Sequence, residues 1–141
     1  MEDSRTMSTA DNKRLLQNVF AELADGNGRP FVDMMAEDVA WTISGTSPWA
    51  RTYRGKRQVI DLLLTPLNAR FAEPYRARAQ RIIAEDDHVV VESRGAVTTT
   101  DGKAYNNAYC FIFRLAGGKV REITEYMDTA LVDAVLGDPE A

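Results

Sequence analysis

Residues Ala104–Asp128 read AYNNAYCFIFRLAGGKVREITEYMD. Apolar and polar side chains alternate with a period of two on both sides of Gly117-Gly118, which predicts two long strands joined by a tight glycine turn. The same period runs upstream. Tyr75 to Ala84, Val89 to Thr99, Ala104 to Leu115 and Lys119 to Asp128 read as four strands, with turn signals at Glu85-Asp86-Asp87, Asp101-Gly102 and Gly117-Gly118. Spacers this short require antiparallel hairpins, since a parallel crossover needs a dozen or more residues.

Ahead of this meander the period changes to that of helices. Asp11 is the predicted cap of a segment in which Leu15, Leu16, Val19, Phe20 and Leu23 form one apolar face, stopped by Asp25-Gly26-Asn27-Gly28. Pro30 suits the first turn of a second, short helix carrying Phe31, Met34 and Met35. Val39, Trp41 and Ile43 predict a short strand, and Gly45 to Gly55 a loop. A third helix follows with Val59, Ile60, Leu62, Leu63, Leu64 and Leu67, ended or kinked by Pro66. Thr129 to Leu136 supplies a last helical turn or two. The expected class is α+β, with helices on one face of a curved sheet. Residues 1–10 read as a disordered N-terminus, 11–137 as a single domain and 138–141 as a tail.

Composition narrows the chemistry. A chain of 141 residues, 45% hydrophobic and 27% charged, fits one globular domain at roughly 150 residues per domain. Seventeen basic against twenty-one acidic residues leave a net charge of −4, which argues against nucleic acid as a partner. One cysteine, Cys110, excludes a disulfide framework and a multi-cysteine zinc site, and one histidine, His88, excludes a histidine-rich metal centre. No metal and no cofactor is expected. No apolar stretch is long enough to span a membrane. With no targeting segment read at Met1 to Ala10 and an unpaired thiol, a cytoplasmic location is the expectation.

Several stretches carry a resemblance. Glu37-Asp38-Val39-Ala40-Trp41-Thr42-Ile43-Ser44-Gly45, then Tyr53-Arg54-Gly55, and above all Lys103 to Arg114 with Gly118 to Thr129, make the chain similar to the nuclear-transport-factor-2-like superfamily. Within it the likeness is to the SnoaL-like, ketosteroid-isomerase-related group, over about Asn12 to Leu136. The resemblance implies a cone-shaped α+β barrel, three helices packed on the concave face of a curved, mostly antiparallel sheet. It implies a deep apolar cavity for a small apolar or oxygenated ligand, and a homodimer formed through the sheet. The group includes isomerases, cyclases, hydrolases and non-catalytic binders, so the fold does not choose among them.

On the last strand Glu122, Thr124, Tyr126 and Asp128 share one face, and Arg121, Ile123, Glu125 and Met127 the other. The resemblance turns Tyr126 and Asp128 toward the cavity, where apolar walls would raise the pKa of Asp128 and suit it to general acid or base work. The other role open to Asp128 is capping the helix that begins near Thr129. Glu92 and Arg94 face one way and offer a carboxylate with a tuning cation, or else a cross-strand ion pair. Trp41, Tyr53, Asn107, Tyr109 and Tyr126 are the candidate substrate-binding residues. Where the resemblance puts the acids of ketosteroid isomerases this chain has Ile43 or Ser44 and Tyr109 or Cys110, so that mechanism is not expected. An enzyme doing acid–base chemistry on an apolar oxygenated metabolite and a non-catalytic binding or scaffold module both remain open.

Overall fold

The computed structural model describes residues 7–140. Ser8 opens helix α1 (Thr9–Ala24): its hydroxyl accepts from Asp11 N at 3.0 Å while the Asp11 carboxylate accepts from Ser8 N at 3.3 Å. Asp11 is therefore the reciprocal partner in a capping box and not the cap itself, because Ser8 offers an oxygen one turn earlier. Ordered helix thus reaches back into the stretch read as a disordered terminus; Met1 to Thr6 lie outside the described residues. The α1 face made by Leu16, Val19, Phe20 and Leu23 is buried, each such side chain contributing roughly 1.5–3 kcal/mol over its exposed state. Helix α2 (Arg29–Asp33) carries Pro30 in its first turn, where the missing N–H costs nothing.

The sheet has six strands in the order β2-β1-β6-β5-β4-β3 and is curved and unclosed. Its members are β1 (Met35–Ile43), β2 (Thr52–Arg54), β3 (Arg76–Glu85), β4 (His88–Ala96), β5 (Ala108–Ala116) and β6 (Lys119–Met127). Only β1 and β6 pair in parallel. Three boundaries differ from the sequence expectation, the first being that Met35, expected on the second helix, opens β1. The predicted loop 45–55 contains β2, three residues held by pairing with β1. The stretches 97–99 and 104–107, expected as strand on either side of the Asp101-Gly102 turn, instead form with it an irregular connection with single bridges at Thr98–Ala104 and Phe71–Thr99. The β5–β6 turn uses Gly117 and Gly118 at φ 60° and 78°, values that suit glycine in a two-residue hairpin.

The third helical stretch is continuous over 56–68 but changes winding: α3 (Lys56–Gln58), a π segment (Val59–Leu64) and α4 (Thr65–Asn68). Pro66 falls in the first turn of α4, where the wide turn gives way, and the helix runs on past it to Asn68. Helix α5 (Thr129–Val135) closes the fold. The helices and the concave sheet face share one core through Phe20, Phe31, Trp41, Phe111 and Phe113. No helix among the described residues is long and apolar enough to cross a membrane.

Candidate active site

Between the helices and the concave sheet face lies a cavity of about 330 Å³. The sheet supplies Trp41 and Ile43 from β1, Ala77 from β3, Tyr109 and Phe111 from β5, and Glu125 and Met127 from β6. Leu63, Leu64, Leu67 and Val132 come from the helices, while Trp49, Phe71, Tyr75 and Tyr105 come from connecting segments. A bent sheet facing short helices leaves such a void because neither surface can follow the other everywhere.

The one carboxyl among these lining residues belongs to Glu125, only 6% exposed. Its strand neighbours on the same face are Ile43 on β1 and Phe111 on β5, both apolar. Trp41 Nε1 donates to Glu125 Oε1 at 2.8 Å. The other oxygen has no hydrogen-bond partner among the described residues, and no ion pair reaches the group. Burial in this apolar surround pushes its pKa up to about 7, and the Trp41 bond holds it back only in part. Near neutral pH Glu125 therefore exists in both protonation states.

A second polar feature is a group of phenols. Tyr75, Tyr105 and Tyr109 have their pKa values raised, in each case mainly by burial. With these shifts they stay protonated near neutral pH and keep an O–H able to donate. Tyr75 packs against Gly95 of β4, where an added Cβ would meet its hydroxyl and, at 2.9 Å, its ring, so a side chain there would push Tyr75 aside. Asn107 anchors the group from behind. Its Nδ2 donates to Tyr105 Oη and to Asp128 O, both at 3.1 Å, and its Oδ1 accepts from Ala108 N and Asp128 N.

The residues singled out from the sequence take up four kinds of position. Trp41 and Tyr109 line the cavity. Asn107 is buried behind it with its amide fully engaged, and Tyr53 Oη donates to Trp49 O at 2.9 Å instead of reaching inward. Asp128 is the N-cap of α5: its Oδ1 accepts from Ala130 N at 3.1 Å and Leu131 N at 3.4 Å, which is the alternative role weighed above. Glu92, Arg94 and Tyr126 stand on the outer sheet face. Glu92 Oε1 there accepts from Arg81 Nε at 2.9 Å, Arg94 lies opposite Arg78, and Tyr126 is 49% exposed.

On β6 the face of Ile123, Glu125 and Met127 points inward, so Tyr126, which the resemblance turns toward the cavity, points outward with Glu122, and Arg121 does not join the inward set. An extra residue in β6, Arg121, breaks the register between Arg114–Glu122 and Leu115–Val120 and lets Val120 face inward as well. The signal for Glu125 was present: it sits between two apolar residues at i−2 and i+2. Tyr75 and Tyr105 fall inside the strands expected from the sequence, but the structure leaves both just outside β3 and β5, and neither was singled out as a site residue.

Among the described residues no three His, Cys, Asp or Glu side chains are grouped to hold a metal ion. A family profile described as a SnoaL-like domain matches residues 16–123. No curated protein matches the chain. Among solved structures, a putative SnoaL-like polyketide cyclase from Jannaschia sp. superposes with a TM-score of 0.75 at 18% identity, over 97% of this chain and 98% of that one. An epoxide hydrolase of Mycobacterium tuberculosis, described as LEH-like, gives 0.69 at 19% identity over 91% of each chain. An NTF2-like protein from Burkholderia xenovorans gives 0.68 at 23% identity over 92% of this chain and 98% of that one. At these identities the likeness is one of fold.

Proposed function

The chain belongs to the SnoaL-like domain family, and from that premise we propose that it is a pocket enzyme moving protons on a neutral, apolar, oxygen-bearing small molecule. Glu125 is the general acid or base. One observation carries the reading: a carboxyl with a free oxygen sits inside an apolar cavity, its pKa raised to about 7. A group poised there has both forms available and suits proton transfer near neutral pH. Trp41 orients the carboxyl. Tyr75, Tyr105 and Tyr109 are neutral donors for an oxygen on which negative charge develops, and the aromatic walls exclude the water that would weaken such bonds. Solved proteins of this fold named as a cyclase and an epoxide hydrolase are in keeping with an enzyme.

The test needs no knowledge of the product. A panel of neutral cyclic ketones and lactones is incubated with the protein in D2O, and exchange of the carbon-bound protons beside the carbonyl is followed by NMR. Catalysed exchange is expected, lost in Glu125→Gln and kept in Asp128→Asn. Ligands that bind without any exchange would point instead to a binding module using the same cavity. We further propose that the outer sheet face pairs two copies of the chain, since it exposes Ile83 and Tyr126 and sets Arg78 opposite Arg94.

A further inference from the structure

We infer that the cavity also receives a small organic ammonium ion, with the Glu125 carboxylate as counter-ion and the rings of Trp41, Phe31, Phe111 and Tyr109 around its alkyl groups. This rests on the reading of Glu125 as the working group of the cavity but changes the ligand from neutral to cationic.

The first reason is an uncompensated acid. Buried carboxylates in proteins ordinarily face a Lys, Arg or metal. Glu125 faces none among the described residues: Arg94, a possible partner from the sequence, stands outside, and the remaining ion pairs are on the surface. The charge can be balanced by a proton, or by a ligand that brings its own positive charge. The second is the wall. Phe31 and Trp41 have ring centroids 5.5 Å apart, Trp41 and Phe111 6.3 Å, and Phe111 and Tyr109 5.4 Å, so the rings form one continuous aromatic lining. Aromatic rings attract alkylammonium groups through their quadrupoles, and more strongly where water is excluded. The third is exclusion. An anionic ligand would meet the Glu125 charge, and no Lys or Arg is among the lining residues to offset it. The volume of about 330 Å³ suits an aryl-alkyl ammonium ion and nothing macromolecular.

The other charged and titratable groups around the carboxyl are few. Tyr53, Tyr75, Tyr105 and Tyr109 feel its charge and are raised mainly by burial, so they stay neutral below pH 10. Arg51 acts on Tyr53 and Asp128 on Tyr105. Arg76 beside Gly26 and Arg70 over the Trp49 ring flank the cavity residues. Positive charge there slows a cation's entry, an effect that salt screens.

The experiment compares benzyltrimethylammonium, which cannot titrate, with its neutral isostere neopentylbenzene by calorimetry from pH 5 to pH 9. Affinity for the ammonium is expected to rise about 100-fold across that range and to level off above pH 7, with about one proton released per ion bound at pH 6. The neutral isostere should show no such rise. Glu125→Gln should remove the pH dependence, and the proton release on the unmodified protein gives the same answer should that variant fail to fold. Ammonium binding that is absent, independent of pH or no tighter than that of the isostere at pH 9 overturns the inference. The proposed enzyme reading fails separately, by deuterium exchange that survives Glu125→Gln.

Discussion

Trp41 and Glu125 stand on adjacent parallel strands, and the indole of the first donates to the carboxyl of the second at 2.8 Å inside the cavity. The bond is the carboxyl's one specific partner. It fixes the direction in which the free oxygen points, and it favours the ionised form that burial disfavours. The balance of these two effects sets where Glu125 titrates, and both can be altered by single substitutions.

Replacing Glu125 by Gln should stabilise the protein in alkaline solution. The folded state raises the Glu125 pKa from 4.5 to about 7, and at about 1.4 kcal/mol per unit the buried charge then costs the fold about 3 kcal/mol. The sign follows from proton binding. Between pH 4.5 and 7 the folded chain holds more protons than the unfolded chain, so this group's contribution is fully present below pH 4.5 and declines up to about pH 7. Thermal melting of both proteins from pH 4 to 9 should show matching Tm values at the acid end. Above pH 7 the variant should melt higher. A gap that does not vary with pH would show that Glu125 is not a buried, shifted acid.

Trp41→Phe keeps most of the ring and removes the donor. The Glu125 pKa should then rise further, by about one unit, since a hydrogen bond to a charged group is worth about 1.5–3 kcal/mol. Carbon-detected NMR of the labelled Glu125 carboxyl reads this directly. The same variant should shift the acid limb of the deuterium-exchange profile in the same direction, which simple loss of packing would not do.

Asp128 and Asn107 are tied together through the backbone of one and the amide of the other, yet they should respond very differently. Asp128→Ala removes a helix cap on the protein's surface and should cost about 1 kcal/mol, with ligand binding and exchange unchanged. Asn107→Ala takes this partner from the buried Tyr105 Oη and from the backbone of Ala108 and Asp128, and should cost about 3 kcal/mol. It should also free Tyr105 to turn, lowering exchange even where the chain is folded. Denaturant melts and exchange rates on the two variants separate these effects.

The strands were legible because a sheet with one buried face imposes a period of two that no helix shares. Which face is buried is a tertiary matter. On β6 the outward set Glu122, Thr124 and Tyr126 contains an aromatic residue, and the inward set Ile123, Glu125 and Met127 contains an acid, so polarity alone misdirects. The same limit applies to β2: Thr52 to Arg54 is too short to carry a period and exists by pairing with β1. Tyr75 and Tyr105 reach the cavity from segments outside the named strands, and their place depends on contacts such as that with Gly95. Cavity walls built by strand periodicity, Trp41 and Tyr109, could be read from the sequence; those built by loops could not.

The outer sheet face bears on assembly. Across β3, β4 and β5 the residues Ile83, Val90 and Ile112 lie side by side, with Cys110 and Tyr126 paired in the next row. Ile83 is 53% and Tyr126 49% exposed, an arrangement that isolated surface residues do not make. At one end of this face Arg78 and Arg94 are directly opposed, a destabilising pair of like charges with no ion pair among the described residues. A second copy related by a two-fold axis would cover the apolar rows and bring carboxylates such as Glu92 and Glu122 near the arginines. Sedimentation should show a dimer whose dissociation constant rises at least tenfold in Ile83→Glu and in Tyr126→Glu. Both side chains are exposed in the single chain, so each variant should keep its melting behaviour at concentrations where the subunits are apart. A native protein that sediments as a monomer at tens of micromolar, or a dimer indifferent to both substitutions, would remove this face from the assembly.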